Sequence, residues 1–168
     1  MNNIDYQHSI SQSFQSRLIQ TALRLFGMKK RAERKMLTNG FAKEPAKIPD
    51  ALLKNFNIKE VDQNARKIWT ITSIDSKSDL VILYFHGGAY MSNILTEHWR
   101  FIEKIIRKTC ATIVVPDYPL TPEASCNETY EFIEGLFTRL ITEYPAKSIV
   151  FMGDSAGGGL GLGFRERG

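Results

Sequence analysis

Apolar residues near the start of the chain recur at the spacing of a helix. Phe14, Leu18, Ala22, Leu25 and Phe26 fall along one stripe, which predicts an amphipathic helix over 11–27. Pro45 and Pro49 then mark 40–56 as a loop or linker. Two strands are expected next, 58–61 and 67–72. In the second, Ile68, Thr70 and Thr72 alternate with Trp69 and Ile71, which suggests an antiparallel hairpin at a sheet edge. From residue 80 onward the pattern changes. Runs 80–85, 112–115 and 148–152 are short and nearly all apolar, as in strands covered on both faces. Between them, Trp99, Ile102, Ile105 and Ile106 mark one helix. Ile133, Phe137, Leu140 and Ile141 mark a second, over about 127–144. Ser125 and Glu128 stand at capping-box spacing at its start. Strands alternating with helices in this order predict an α/β fold with a mostly parallel sheet joined by right-handed crossovers.

The 168 residues comprise 43% hydrophobic and 24% charged residues, which excludes wholesale disorder, collagen and disulfide-scaffold classes. The longest apolar run has six residues, against about 20 for a membrane span, so no integral membrane segment is expected. Cys110 and Cys126 have no metal-type spacing. Asp5, Gln12 and Gln15 interrupt any signal-like run, so the reading is a cytoplasmic protein with reduced thiols. The net charge of +4 is uneven. Residues 1–47 carry nine Lys and Arg against three Asp and Glu, whereas 48–168 carry thirteen against fifteen. The division expected is a basic helical segment over 1–47 and an α/β domain over 48–168. Lys29, Lys30 and Arg31 allow three readings: a solvated helix end, a membrane-surface anchor, or a nucleic-acid contact. No aromatic stacking pattern accompanies them, so no nucleic-acid partner is assigned.

Two segments carry chemistry. Gly153-Asp154-Ser155-Ala156-Gly157 fits G-x-S-x-G directly after a predicted strand. A nucleophile at the tip of a sharp strand-to-helix turn needs a strained backbone, and side chains two residues to either side would clash, hence the glycines. His86-Gly87-Gly88-Ala89-Tyr90 follows another strand, and its paired glycines can turn backbone N–H groups toward an oxyanion. Asp154 is not read as a triad acid, because its backbone adjoins Ser155.

These two segments, with Asp117-Tyr118-Pro119-Leu120-Thr121-Pro122-Glu123 between them, resemble the α/β-hydrolase-fold esterases of the hormone-sensitive lipase family. The resemblance spans roughly 55–164. It implies the N-terminal half of that fold, with 1–47 contributing to a cap. It implies Ser155 as nucleophile and the N–H groups of Gly87, Gly88 and Ala156 as the oxyanion hole. His86, Asp117, Glu123, Gly153 and Gly157 become structural supports. It also implies a small-molecule ester substrate and neither metal nor organic cofactor. Ala89 stands where many relatives have a third glycine, a change expected to be tolerated if φ stays negative there. The triad acid and base follow the serine in this fold. Here His8, His86 and His98 all precede Ser155, and only 13 residues follow it. The sequence therefore reads as truncated after the elbow and inactive alone. Two readings stay open: half of an enzyme awaiting a complementing C-terminal half, or a catalytically dead remnant acting as a binding module.

Overall fold

The computed structural model describes residue 21 and residues 41–75, 78–145 and 148–167. Apart from Thr21, the expected helix over 11–27 and the basic run after it lie outside the described residues. From Phe41 onward the chain is one compact unit. A short helix α1 (Asp50–Asn55) leads into β1 (Phe56–Gln63) and β2 (Arg66–Ser73). Then follow β3 (Val81–Phe85), α2 (Thr96–Thr109), β4 (Thr112–Pro116), α3 (Cys126–Glu143), β5 (Ile149–Gly153) and α4 (Ala156–Arg167).

The strands form a single sheet in the order β1-β2-β4-β3-β5. β1 and β2 pair antiparallel, as does β2 with β4, whereas β3 runs parallel to both β4 and β5. Asn64 and Ala65 both take positive φ, 53° and 59°, at the tip of the β1–β2 hairpin. That is the backbone a two-residue turn needs to follow the twist of its strands. The hairpin is as expected, but only β1 lies at the edge. β2 is interior because its second side pairs with β4. The loop expected over 40–56 contains α1, which buries Leu52. Six residues with a single buried position leave no periodicity to read.

The strands build two core layers by alternation. Ile82, Tyr84, Ile113 and Val115 point to one face, with Trp69 and Ile71, and meet Trp99, Ile102, Ile105 and Ile106 of α2. Trp69 and Trp99 meet edge to face at 5.2 Å. Val81, Leu83, Phe85 and Val114 point to the other face and meet Ile133, Leu136 and Leu140 of α3 and Leu160 and Phe164 of α4. The capping box of α3 forms as expected. Ser125 Oγ accepts the N–H of Glu128 at 3.3 Å, and a Glu128 oxygen accepts the N–H of Ser125 at 2.7 Å. Ile141, expected on the buried stripe, is exposed. β5 is the outer strand beside β3, and Val150 on it is 47% exposed. Among the described residues no helix is long and apolar enough to cross a membrane.

Candidate active site

The site lies where β3 and β5 end side by side. β5 turns into α4 through Asp154 and Ser155, and the N–H of Gly157 donates to the carbonyl of Asp154 at 2.8 Å. Ser155 has φ 48°, a left-handed conformation that non-glycine residues seldom take, and its side chain is exposed. The flanking glycines serve close approach. A Cβ at Gly153 would sit 2.5 Å from the carbonyl carbon of Gly157, and one at Gly157 would overlap the carbonyl oxygen of Phe85.

The loop after β3 is bent the same way. Gly88 has φ 131°, and a Cβ there would lie 2.5 Å from the carbonyl oxygen of Ser92. Ala89 and Tyr90 also have positive φ, 55° and 62°. The condition under which alanine was expected to be harmless is thus not met. A left-handed alanine costs about 1–2 kcal/mol.

Asp154 ties the two turns together. Its Oδ1 accepts from Tyr84 Oη at 2.6 Å and from the N–H of Gly87 at 3.0 Å. Burial alone pushes its carboxyl up, but these two donors and nearby His98 together hold it below the ordinary value. The N–H of Gly87, expected to face an oxyanion, is therefore engaged by Asp154. Gly88 and Ala156 are the donors that remain from the expected set. Asp154 also faces an imidazole, which the sequence gave no reason to expect: His98 Nε2 lies 3.5 Å from Oδ2. His98 Nδ1 accepts the N–H of Leu95 at 2.9 Å, so the proton sits on Nε2, toward Asp154. With both nitrogens committed, His98 has no free lone pair with which to take a proton from a serine.

His86 is fully buried. Its Nδ1 is 2.8 Å from the carbonyl of Gly87, its ring stacks on Tyr118 at 4.4 Å, and Nε2 has no partner among the described residues. Burial pushes its pKa down to about 4, so the ring is neutral near pH 7. Tyr118 Oη donates to the carbonyl of His86 at 2.6 Å and braces the loop from below. Asp117 accepts from Asn93 Nδ2 at 2.7 Å, with Arg66 at 3.7 Å. Burial raises its pKa despite these partners. Glu123 pairs with Lys43 at 2.9 Å on the surface. Asp117 and Glu123 thus touch loop and strand residues. Sequence reasoning passed over Tyr84, Asn93 and His98. Tyr84 was absorbed into an apolar run, and a lone His in a helix gives no signal without its partner.

A strained, exposed serine on a strand-to-helix elbow, facing a glycine loop at the neighbouring strand end, defines the class: an α/β-hydrolase-fold protein. Residues 82–164 match the family model described as alpha/beta hydrolase fold. Within that class the chain resembles esterases, and the described sheet and helices are those of the fold's N-terminal half. Esterase LipU of Mycobacterium tuberculosis is 31% identical over 93 residues, covering 51% of this chain and 29% of that protein. The acetyl esterase of Salmonella schwarzengrund is 32% identical over 90 residues, with 51% and 28% covered. A Staphylococcus aureus structure superposes with TM-score 0.66 at 28% identity, covering 82% of this chain and 45% of that one. An esterase of the bacterial hormone-sensitive lipase family gives TM-score 0.59 at 26% identity, with 73% and 42% covered. The chain therefore spans less than half the length of each of these relatives.

Proposed function

We propose that Ser155 is the nucleophile of a carboxylic-ester hydrolase acting on small to medium acyl esters. The observation that carries this reading is Ser155 itself, exposed at φ 48° beside the glycine loop. Ser155 Oγ attacks the ester carbonyl carbon as its proton passes to an imidazole. The carbonyl oxygen gains the negative charge, and the N–H groups of Gly88 and Ala156 receive it. The alkoxide leaves with the proton, and water then releases the acid from acyl-Ser155. Among the described residues no imidazole is free to take that proton. His86 is buried and His98 is committed on both nitrogens. A complementing C-terminal half would bring an Asp or Glu followed by a His. Loss of a base costs about a millionfold in turnover in the serine-protease example. The 168-residue chain alone is therefore expected to be nearly inactive.

The test is hydrolysis of a short p-nitrophenyl ester by the chain and by Ser155→Ala, each alone and mixed with the C-terminal half of a related esterase. Turnover that needs both the added half and Ser155 supports the reading. Turnover indifferent to Ser155 removes it. The second reading, a binding module without catalysis, is favoured by the bare apolar positions Val150 and Leu162 beside β5, 47% and 69% exposed. On that reading, partner binding is unaffected by Ser155→Ala.

A further inference from the structure

Behind the glycine loop, β3, α2 and the elbow after β5 meet at one carboxylate. Asp154 lies against Gly87: a Cβ there would overlap Oδ2 and stand 3.1 Å from the carboxyl carbon. Glycine at 87 is therefore required by the carboxylate, which takes the Gly87 N–H on Oδ1 together with Tyr84 Oη. Beyond that amide Gly88, Ala89 and Tyr90 all take positive φ, so the loop depends on what anchors its first residue. A carboxylate gripped by one oxygen can still swing about Cβ–Cγ, a torsion that is broad for Asp. Among the described residues, the one side-chain donor facing the other oxygen is His98 Nε2, 3.5 Å from Oδ2.

His98 stands in the first turn of α2, its side chain 14% exposed. The Leu95 N–H on Nδ1 fixes the ring and leaves the proton on Nε2, so a rigid donor points at the carboxylate. One turn on, Phe101 packs on Tyr84, the other side-chain donor to Asp154, with ring centroids 6.1 Å apart. The His98 ring also lies 5.8 Å from that of His86, at the start of the loop. The first turns of α2 thus back both the free oxygen of the carboxylate and the phenol that grips the other. We infer that His98 is a positioning residue: its Nε2–H stops the Asp154 carboxylate from swinging, and so keeps the Gly87 amide and the loop after it in place beside Ser155. The bearing of this hold on catalysis rests on the reading of Ser155 as an ester-cleaving nucleophile. The hold on Gly87 itself does not.

Amide exchange of Gly87, followed by NMR on the 168-residue chain, reads the hold directly. Two substitutions separate the two bonds of His98. In His98→Asn the shorter amide can still accept the Leu95 N–H but falls short of Asp154. Gly87 should then exchange about two- to fivefold faster, the scale of a partly exposed charged contact. In His98→Gln a side-chain N–H again reaches Asp154, and the native rate should return. The amide of Leu83, in the middle of β3, should keep its rate throughout. In Asp154→Ala the Gly87 amide is already released, so adding His98→Asn should change its rate no further. A Gly87 rate unchanged in His98→Asn would overturn the inference. So would acceleration that His98→Gln does not reverse, or that persists in the Asp154→Ala background. If His98→Asn also frees Leu83, the native chain decides. At about pH 9, where imidazole is neutral, the ring nitrogen shifts of His98 should show the proton on Nε2, and the opposite tautomer overturns the inference. Mixed with the C-terminal half of a related esterase, His98→Asn should lower kcat for a short p-nitrophenyl ester and leave KM unchanged, because the loop receives charge only in the transition state. A released Gly87 with no Ser155-dependent turnover in the native chain leaves the positioning role standing and removes the hydrolase reading. Ser155-dependent turnover with Gly87 unmoved by His98→Asn does the reverse.

Discussion

At the scale of single residues, the site is a set of conformations that most side chains would resist. Ser155, Ala89 and Tyr90 are all held left-handed, and each needs its neighbours to keep it so. His86 is the residue whose chemistry is most altered by its place. Its folded pKa, about 4, lies below the ordinary 6.5, so the neutral ring contributes stability above about pH 6.5. That contribution is lost as the pH falls toward 4, and a shift of this size corresponds to on the order of 3 kcal/mol. Urea midpoints measured from pH 7 to pH 4 should therefore fall less steeply for His86→Asn than for the native chain. Parallel slopes would show that His86 is not the group responsible.

At the scale of elements, α4 combines poor helix formers with close contacts. Gly161 and Gly163 each cost about 1 kcal/mol relative to alanine in an open helix. Their surroundings differ. A Cβ at Gly161 would lie 3.5 Å from Phe151 Cβ, an ordinary contact, whereas one at Gly163 would collide with Tyr130 Oη. Gly161→Ala should stabilise by up to about 1 kcal/mol in chemical denaturation. Gly163→Ala should gain nothing or lose stability, since the Tyr130 hydroxyl must move. Equal gains from both would mean that α4 sits farther from α3 than described. The elements themselves were largely legible in the sequence. Runs such as 80–85 and 112–115 have no charged residue to confuse the period, and Ser125 with Glu128 marks a helix start by chemistry alone. The short helix α1 was not legible, nor was the interior position of β2. Pairing with β4 depends on residues more than forty positions away, and alternation within β2 does not report it.

At the scale of the whole molecule, the serine and its glycine loop were legible because their motifs are local. The linkage between them was not. The N–H of Gly87 and the carboxyl of Asp154 are 67 positions apart, and only the fold brings them within 3.0 Å. The same sheet that joins them leaves β5 outermost, with Val150 and, on α4, Leu162 exposed around an apolar groove. An apolar edge strand without a charge invites pairing between chains. Sedimentation velocity should show association that grows with concentration, reduced by Val150→Glu. Association unchanged by that substitution would place the contact elsewhere.

The carboxylate of Asp154 has one more consequence. A nucleophile and an anion-binding loop on separate strands would drift independently with thermal motion, and their spacing would blur. A shared hydrogen-bonded pivot ties the two turns together, so on the reading proposed for Ser155 the gap between attacking atom and charge acceptor is set within this polypeptide. Any partner supplying the proton-handling groups then has to align with one body instead of two, a much smaller docking problem than assembling a site from loose parts.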